Sequence, residues 1–146
     1  MKIHLATDHA GLDLKNRIKH YLTENGYDVK DHGAYEYDAE DDYPDFIFPC
    51  ARSVAEDKES RGIILGGSGQ GEAMAANRIK GCRAAVFYSG PKEIVTLSRE
   101  HNNANILSLG ARFMDEKDIF DIINLWLKEP FGGGRHQRRI DKLDRF

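Results

Sequence analysis

The amino-acid sequence predicts an α/β fold, a single three-layer domain in which five parallel strands form a sheet with helices on both faces. Two observations favour this fold class. Short apolar segments alternate with amphipathic segments of helical period along the whole chain, an order typical of parallel sheets. The chain has 146 residues, the size of one domain, and it contains no internal repeat.

The first half of the chain predicts three strands and two helices. The helix that starts at residue 12 has apolar side chains at three- and four-residue spacing, and Asn25-Gly26 stops it. In the second helix we expect Asp45 to be the cap, and Pro49 is tolerated because it falls in the first turn. The predicted ranges are strand 2–6, helix 12–22, strand 27–29, helix 46–57 and strand 62–65.

The second half continues the alternation and ends in a tail. A helix of small side chains follows a glycine-rich loop, and the last long helix carries a continuous apolar face. Residues 1–131 therefore form the α/β domain, and residues 132–146 form a basic helical tail of the same domain that docks on a partner subunit. The predicted ranges are helix 73–78, strand 83–87, helix 92–99, strand 105–109, helix 114–128 and a short helix from the three glycines to the end.

Composition excludes several classes of protein. The formal net charge of −3 argues against a general nucleic-acid binder, which usually has a large basic excess. Cys50 and Cys82 form neither a disulfide framework nor a metal-ligand pair, which favours a reducing compartment. No apolar run approaches 18 residues and no signal peptide precedes the first strand, so we expect no membrane partner and a cytoplasmic location.

Charge is unevenly distributed along the chain. Residues 28–45 contain eight acidic residues and one lysine, and we interpret this stretch as a solvated loop. Residues 135–146 contain five Lys/Arg and two Asp. Arg135 and Arg139 lie four apart, so on a helix they share a face and suit a phosphate monoester. The alternative is a solvated basic helix, whereas docking on a partner subunit would place the arginines in a neighbour's pocket.

The stretch Gly66-Gly67-Ser68-Gly69-Gln70-Gly71-Glu72 carries the strongest functional signal. It joins a predicted buried strand to a predicted helix, so its backbone N–H groups converge where the helix dipole favours negative charge. Five of the ten residues 62–71 are glycine, more than a turn requires. We interpret the loop as an anion hole. The alternative is a turn that only lets the strand and helix pack closely.

Glu72 indicates what kind of anion this loop would hold. The spacing Gly66-x4-Gly71 matches a phosphate-binding loop, but Glu72-Ala73 replaces the expected Lys-Ser/Thr and would repel a triphosphate. The dinucleotide fingerprint is also incomplete. A carboxylate beside fixed N–H donors suits the removal of a proton from carbon while the donors hold the resulting oxyanion. Otherwise Glu72 is only a first-turn partner of the helix dipole.

Other polar residues follow the predicted strands. Asp8 and His9 come after the first strand and Arg112 after the fifth, while His101 closes the helix before the fifth strand. Each also has a structural interpretation: Asp8 or His9 as a cap, His101 as a partner of the helix dipole, Arg112 as a partner of Asp115. The six histidines show no metal-ligand spacing, so we expect no metal and no cofactor.

Five motifs occur along the chain in a specific order: residues 7–11 (TDHAG), 42–44 (DYP), 66–77 (GGSGQGEAMAAN), 99–102 (REHN) and 133–139 (GGRHQRR). With these motifs the chain resembles the type B ribose-5-phosphate isomerases, which are grouped with the galactose-6-phosphate isomerase subunits. The resemblance covers nearly the whole chain. It implies a Rossmann-like sheet and a metal-free aldose–ketose isomerase that forms a homodimer or homotetramer with shared active sites.

The resemblance also implies roles for individual residues. The anion hole falls on the backbone of Gly67, Gly69 and Gly71, and Ser68 matches a hydroxyl near the enediolate oxygens. His101 matches the residue that helps to open the sugar ring. The remaining substrate-binding positions are Asp8, His9, Tyr43 and Asn102, and on the phosphate side Arg112, Arg135 and Arg139.

One position departs from the commoner pattern of this family. Many members carry a cysteine base immediately before the glycine loop, where this chain has Gly66. A second branch has glycine there and uses a glutamate at the position of Glu72 as the base. Neither Cys50 nor Cys82 is placed to replace the missing cysteine.

The function expected from the residues and the resemblance together is interconversion of ribose 5-phosphate and ribulose 5-phosphate through a cis-enediolate. Glu72 would be the base, and His101 would open the furanose ring. One alternative is the same chemistry on a six-carbon sugar phosphate such as galactose 6-phosphate or allose 6-phosphate. A remoter one is a non-catalytic nucleotide-binding module.

Overall fold

The computed structural model describes all 146 residues and contains one five-stranded sheet, which confirms the predicted fold class. All strands are parallel, and their order in the sheet is β2-β1-β3-β5-β4. The central pair is in register from Gly62 opposite Ile106 to Gly66 opposite Gly110. The strands are β1 Lys2–Thr7, β2 Asp28–Asp31, β3 Arg61–Gly66, β4 Ala84–Phe87 and β5 Ile106–Gly110.

Four α-helices and one short 3₁₀ turn, His9–Gly11, connect these strands, and two further α-helices follow the last strand. None of the helices combines the length and apolarity needed to span a membrane. The helices are α1 Leu12–Glu24, α2 Pro44–Glu56, α3 Gln70–Ala76, α4 Glu93–Glu100, α5 Glu116–Lys128 and α6 Arg135–Ile140.

The start of α2 differs from the prediction. The helix begins at Pro44, whose fixed φ suits a first helical position, so Tyr43 is the N-cap and Asp45 lies inside the first turn. Pro49 consequently falls in the second turn rather than the first. The proline has no N–H to donate to the carbonyl of Asp45, so the helix lacks one internal hydrogen bond there.

The helices cover both faces of the sheet and produce two apolar cores. The larger core has 16 buried residues from the sheet, α1, α4 and α5, and the smaller has 10, mainly from the sheet, α2 and α3. The predicted apolar face of α5 is confirmed, because its five members are all buried: Ile119, Ile122, Ile123, Trp126 and Leu127. These packed layers fix the two edges of the sheet at which the loops meet.

The helix of the C-terminal tail is shorter than predicted, and the tail forms hydrogen bonds with the rest of its own chain. The helix α6 ends at Ile140, and turns follow to residue 144. The amide of Gly132 donates to the carbonyl of Glu100 at 2.9 Å, and the amide of Gly81 donates to Asp144 Oδ2 at 3.1 Å. No residue of α6 is buried, so packing supports little of this short helix.

A contact between the buried His4 and the half-buried His32 should make the fold sensitive to acid. His4 Nδ1 lies 2.9 Å from His32 Nε2. Burial, followed by the charge of His4, lowers the pKa of His32 to about 4, and burial also lowers the pKa of His4. Below pH 6.5 the two histidines therefore bind protons in the unfolded chain more readily than in the folded chain. Their contribution to the free energy of unfolding is fully present above about pH 6.5 and is lost as the pH falls toward 4.

We expect unfolding midpoints in urea to decrease over this pH window by the equivalent of about 1–2 kcal/mol, allowing for partial solvent screening. His32→Gln should flatten the dependence, whereas His20→Gln, at an exposed position, should leave it unchanged. An equally steep dependence in His32→Gln would show that other groups cause it.

Candidate active site

The glycine loop between β3 and α3 is fixed by the neighbouring loop after β5. The amides of Ala111 and Arg112 donate to the carbonyls of Gly66 and Gly67 at 2.8 and 3.0 Å. The buried hydroxyl of Ser108 donates to the carbonyl of Gly69 at 2.6 Å. Gly69 has φ +78°, a left-handed conformation that favours glycine. The carbonyls of the loop are thereby held away from the space that its amides face.

Most amides of this loop have no acceptor in the protein. The N–H groups of Gly67, Ser68, Gly69 and Gly71 make no hydrogen bond to the chain, and that of Gln70 donates weakly to Ser68 Oγ at 3.3 Å. Since buried or half-buried N–H groups are rarely left unpaired, these donors are suited to an anionic ligand.

Glu72 lies beside these donors with its carboxylate against the end of β3. Its residue is 4% exposed, and it forms no salt bridge. Burial raises the pKa of Glu72, its own backbone amide opposes the shift, and the charge of Asp8 adds to it. A carboxyl with these properties accepts and returns a proton more readily near neutral pH than an ordinary glutamate does.

Gly66 is required by the position of Glu72. A Cβ atom at Gly66 would overlap the Glu72 carboxylate. A side chain at position 66 and the carboxylate of residue 72 therefore compete for one volume. This gives a steric reason why this chain has glycine at the first position and glutamate at the second.

Asp8 and His9 line the same edge of the sheet, directly after β1. Asp8 is 8% exposed and accepts from the amide of Ala10 at 2.9 Å, so the interpretation of Asp8 as a cap is correct as far as it goes. His9 Nδ1 lies 2.6 Å from Asp41 Oδ1. This hydrogen bond raises the pKa of His9.

Tyr43 and Arg112 complete this edge. The ring and hydroxyl of Tyr43 lie against Gly71, where a Cβ would approach them to 2.8 Å. The guanidinium of Arg112 lies against Gly67 in the same way, at 3.1 Å, and Arg112 forms no salt bridge with Asp115. The structure thus brings together nine of the predicted positions: Asp8, His9, Tyr43, Gly67, Ser68, Gly69, Gly71, Glu72 and Arg112.

An open cavity of about 690 Å³ adjoins this group. His9 and Arg112 line it together with Tyr37, whereas Glu72 and the glycine loop do not, so the cavity adjoins the phosphate-binding side of the predicted site rather than the proposed base. Asp8, His9 and Asp41 also bring three potential ligand atoms within 4.8 Å of one another. All three groups are already engaged in the hydrogen bonds described above, Asp8 with the amide of Ala10 and His9 with Asp41. The spacing rules used on the sequence could not detect this cluster, because Asp41 is 32 residues away from His9.

Four predicted positions lie at the opposite edge of the sheet. His101 follows α4 and precedes β5, so the length of β5, roughly 16 Å for five residues, separates it from the glycine loop. Its ring stacks on His136 with 4.4 Å between centroids. Asn102, Arg135 and Arg139 are exposed beside it. A single chain therefore does not bring His101 and Glu72 to one small ligand.

Neither cysteine is placed for catalysis, as the sequence predicted. Cys50 is 0% exposed inside the smaller core, and burial raises its pKa strongly. Cys82 donates to the carbonyl of Ala51 at 3.2 Å, and burial raises its pKa to about 11.

Two further residues, Tyr37 and Asp41, lie at the edge of the sheet that carries the glycine loop and were not predicted from the sequence. Both lie in the acidic stretch, residues 28–45, that we interpreted as a solvated loop. That interpretation is wrong for two aspartates of the stretch, Asp31 and Asp41. Asp31 accepts from the buried Lys15 Nζ at 2.7 Å, and the side chain of Asp41 is 8% exposed. Asp31 and Asp41 differ from the exposed acidic residues around them only in their contacts with residues far away in the sequence.

Comparison with known proteins agrees with this architecture. The Ribose/Galactose Isomerase family matches residues 3–143. Ribose-5-phosphate isomerase B of Mycobacterium tuberculosis is 42% identical over 144 residues, which cover 98% of this chain and 88% of that protein.

Two solved structures are similar throughout. Ribose-5-phosphate isomerase B from Mycoplasma genitalium with bound ribulose-5-phosphate is 43% identical, with a TM-score of 0.94 over 99% of this chain and 94% of that one. The enzyme from Clostridium thermocellum is 42% identical, with a TM-score of 0.92 over 99% and 96%. Fold and site together define a Rossmann-like α/β enzyme. The chain belongs to the ribose/galactose isomerase family and is an aldose–ketose isomerase.

Proposed function

We propose that this enzyme interconverts ribose 5-phosphate and ribulose 5-phosphate through a cis-enediolate, with Glu72 as the base. The observation that carries the proposal is the buried Glu72 carboxylate, which forms no salt bridge, beside the unpaired amides of the glycine loop. The substrate is supported by the relatives named ribose-5-phosphate isomerase B and by the ribulose-5-phosphate bound to one of them.

The proposed reaction needs only proton transfers. Glu72 takes the proton from C2 of the open-chain aldose, and the electron pair moves through the C1–C2 bond to leave charge on the aldehyde oxygen. The amides of the loop stabilise this oxyanion, and Ser68 passes a proton between O2 and O1. Glu72 then returns its proton to C1 and yields the ketose. One such donor is typically worth ~2.7–4 kcal/mol of barrier.

The complete site is proposed to form between two copies of the chain. His101 would open the furanose ring, and Asn102, Arg135 and Arg139 would bind the substrate, but all four lie at the edge of the sheet opposite Glu72. Residues of a second copy reach the first copy's glycine loop if the two edges face each other. The tail 132–146, which packs on its own chain, would then present its arginines to the partner.

We propose that the second copy docks on an exposed apolar surface. It consists of Met74, Ile94 and Leu97, which are 62%, 46% and 40% exposed, around the edge strand β4. A patch of this kind beside an unpaired strand favours a protein partner. Because α4 carries Ile94 and Leu97 and ends next to His101, docking on α4 would bring His101 to the proposed interface.

The function is tested by assaying the chain alone on ribose 5-phosphate, allose 6-phosphate and galactose 6-phosphate in the presence of EDTA. We expect turnover of ribose 5-phosphate that EDTA does not reduce. Preference for either six-carbon substrate would move the proposal to that sugar, and loss of activity with EDTA would contradict the metal-free mechanism. Binding of ATP or NAD without any isomerisation would contradict the enzyme proposal itself.

Arg139→Ala should raise KM for ribose 5-phosphate about tenfold or more with a smaller effect on kcat, because the phosphate is held in ground and transition states alike. Steady-state kinetics measure both constants. Arg138→Ala removes the same charge from the neighbouring exposed position and is the matched control. An unchanged KM in Arg139→Ala would place the tail outside the site.

A further inference from the structure

The contact between Asp41 and His9 connects the loop between β2 and α2 to the candidate site, although the two residues are 32 positions apart in the sequence. Asp41 Oδ1 accepts from the backbone amide of His9 at 3.3 Å and lies 2.6 Å from its Nδ1. The side chain of Asp41 is 8% exposed, and its second oxygen, Oδ2, is buried without any hydrogen-bond partner. An acceptor buried without a donor costs stability, so this geometry is unfavourable unless the carboxylate has another task.

The hydrogen bond determines which nitrogen of His9 is available. With Nδ1–H donating to Asp41, only Nε2 remains for a ligand in the cavity that His9 lines. A carboxylate in contact with one nitrogen also stabilises the doubly protonated ring. The Tyr37 ring lies nearly perpendicular to the imidazole, with 5.8 Å between centroids.

We propose that Asp41 is a positioning residue, which keeps His9 as an imidazolium with Nε2–H directed at the anionic part of the substrate. The inference rests on the proposed function, since it takes a sugar phosphate as the ligand of the cavity. His9 and Arg112 then present two cations to one phosphate monoester. Asp41 contributes to substrate binding without touching the substrate, because it acts through His9.

The other charged groups that face His9 are consistent with this arrangement. Asp8 favours the protonated ring, as Asp41 does, whereas Arg112 opposes it. Asp13, Arg17 and Glu116 line the far side of the cavity, and Arg17 pairs with Glu116 there. The one group in hydrogen-bond contact with the ring is Asp41, which therefore has the dominant effect on its charge.

Asp41→Asn tests the proposal because an amide oxygen still accepts from Nδ1–H while the negative charge is lost. The first readout is the pKa of His9 in substrate-free enzyme, from NMR of isotopically labelled histidine with His9→Gln to assign the signal. We expect a value above 6.5 in the wild type and a decrease of about one unit or more in Asp41→Asn. Wild-type titration at or below 6.5 would overturn the proposal, whether or not the enzyme isomerises ribose 5-phosphate.

The second readout is the pH dependence of KM for ribose 5-phosphate. The ratio of KM in Asp41→Asn to that in the wild type should rise with pH, to about tenfold where the variant has lost the proton of His9 and the wild type still holds it. A purely structural role of Asp41 predicts a ratio independent of pH and would refute the proposal. Glu40→Gln removes the neighbouring exposed charge and should match the wild type in both readouts.

Discussion

Glu72→Gln is expected to lower kcat for ribose 5-phosphate by about 10²–10⁴-fold, because the amide cannot accept the proton from C2. The side chains have the same shape, and Glu72 forms no salt bridge that the change would break. The Kd for substrate, measured by calorimetry, should therefore stay within a few-fold of the wild-type value. Loss of kcat with retained binding separates a catalytic role from a structural one.

The stability of this variant provides a second check. Since the pKa of Glu72 is raised in the folded state, ionising it at neutral pH costs stability, and glutamine removes that cost. The melting temperature should be equal to or higher than that of the wild type. Glu93→Gln, in the exposed first turn of α4, is the matched control and should retain full kcat. Near-normal turnover in Glu72→Gln would exclude Glu72 as the base.

Mixing two inactive variants should restore activity if the site is shared. Glu72→Gln and His101→Asn are each expected to be nearly inactive. In a mixed dimer, one of the two sites combines the intact Glu72 of one chain with the intact His101 of the other. Random assembly makes about half of the dimers mixed, so refolding the two together should give about one quarter of wild-type activity.

The same experiment discriminates between shared and separate sites. If one chain supplied both residues, every site in the mixture would lack one of them and no activity would return. The double variant Glu72→Gln/His101→Asn, refolded with wild type at the same ratio, is the control for subunit exchange. Recovery of activity in the first mixture requires that His101 of one chain acts at the site that contains Glu72 of the other chain.

The sequence predicted the fold closely because local patterns determine it. Alternating apolar and amphipathic segments gave every strand and helix, and the apolar face of α5 is buried as expected. The errors lie at ends and in loops. The start of α2 was missed because Pro44 was not recognised as its first residue, and α6 was overextended because little of it packs.

The candidate site was predicted unevenly for a physical reason. Gly66 to Glu72 are contiguous, so their mutual placement follows from one loop, and strand ends brought Asp8, His9 and Arg112 to the same edge. Asp41 and Tyr37 depend on how a long loop folds back onto β1, which no periodicity encodes. That His101 lies at the other edge follows from its position before β5, and the motif order alone concealed this separation.

The central claim is that a carboxylate of this chain removes hydrogen from the sugar, and isotope exchange tests it most directly. Wild type and Glu72→Gln are incubated with ribose 5-phosphate in D₂O for many turnovers, and NMR follows deuterium at C2 of the aldose and C1 of the ketose. The account predicts incorporation by the wild type and none above background by the variant. Exchange at the wild-type rate in Glu72→Gln would contradict it.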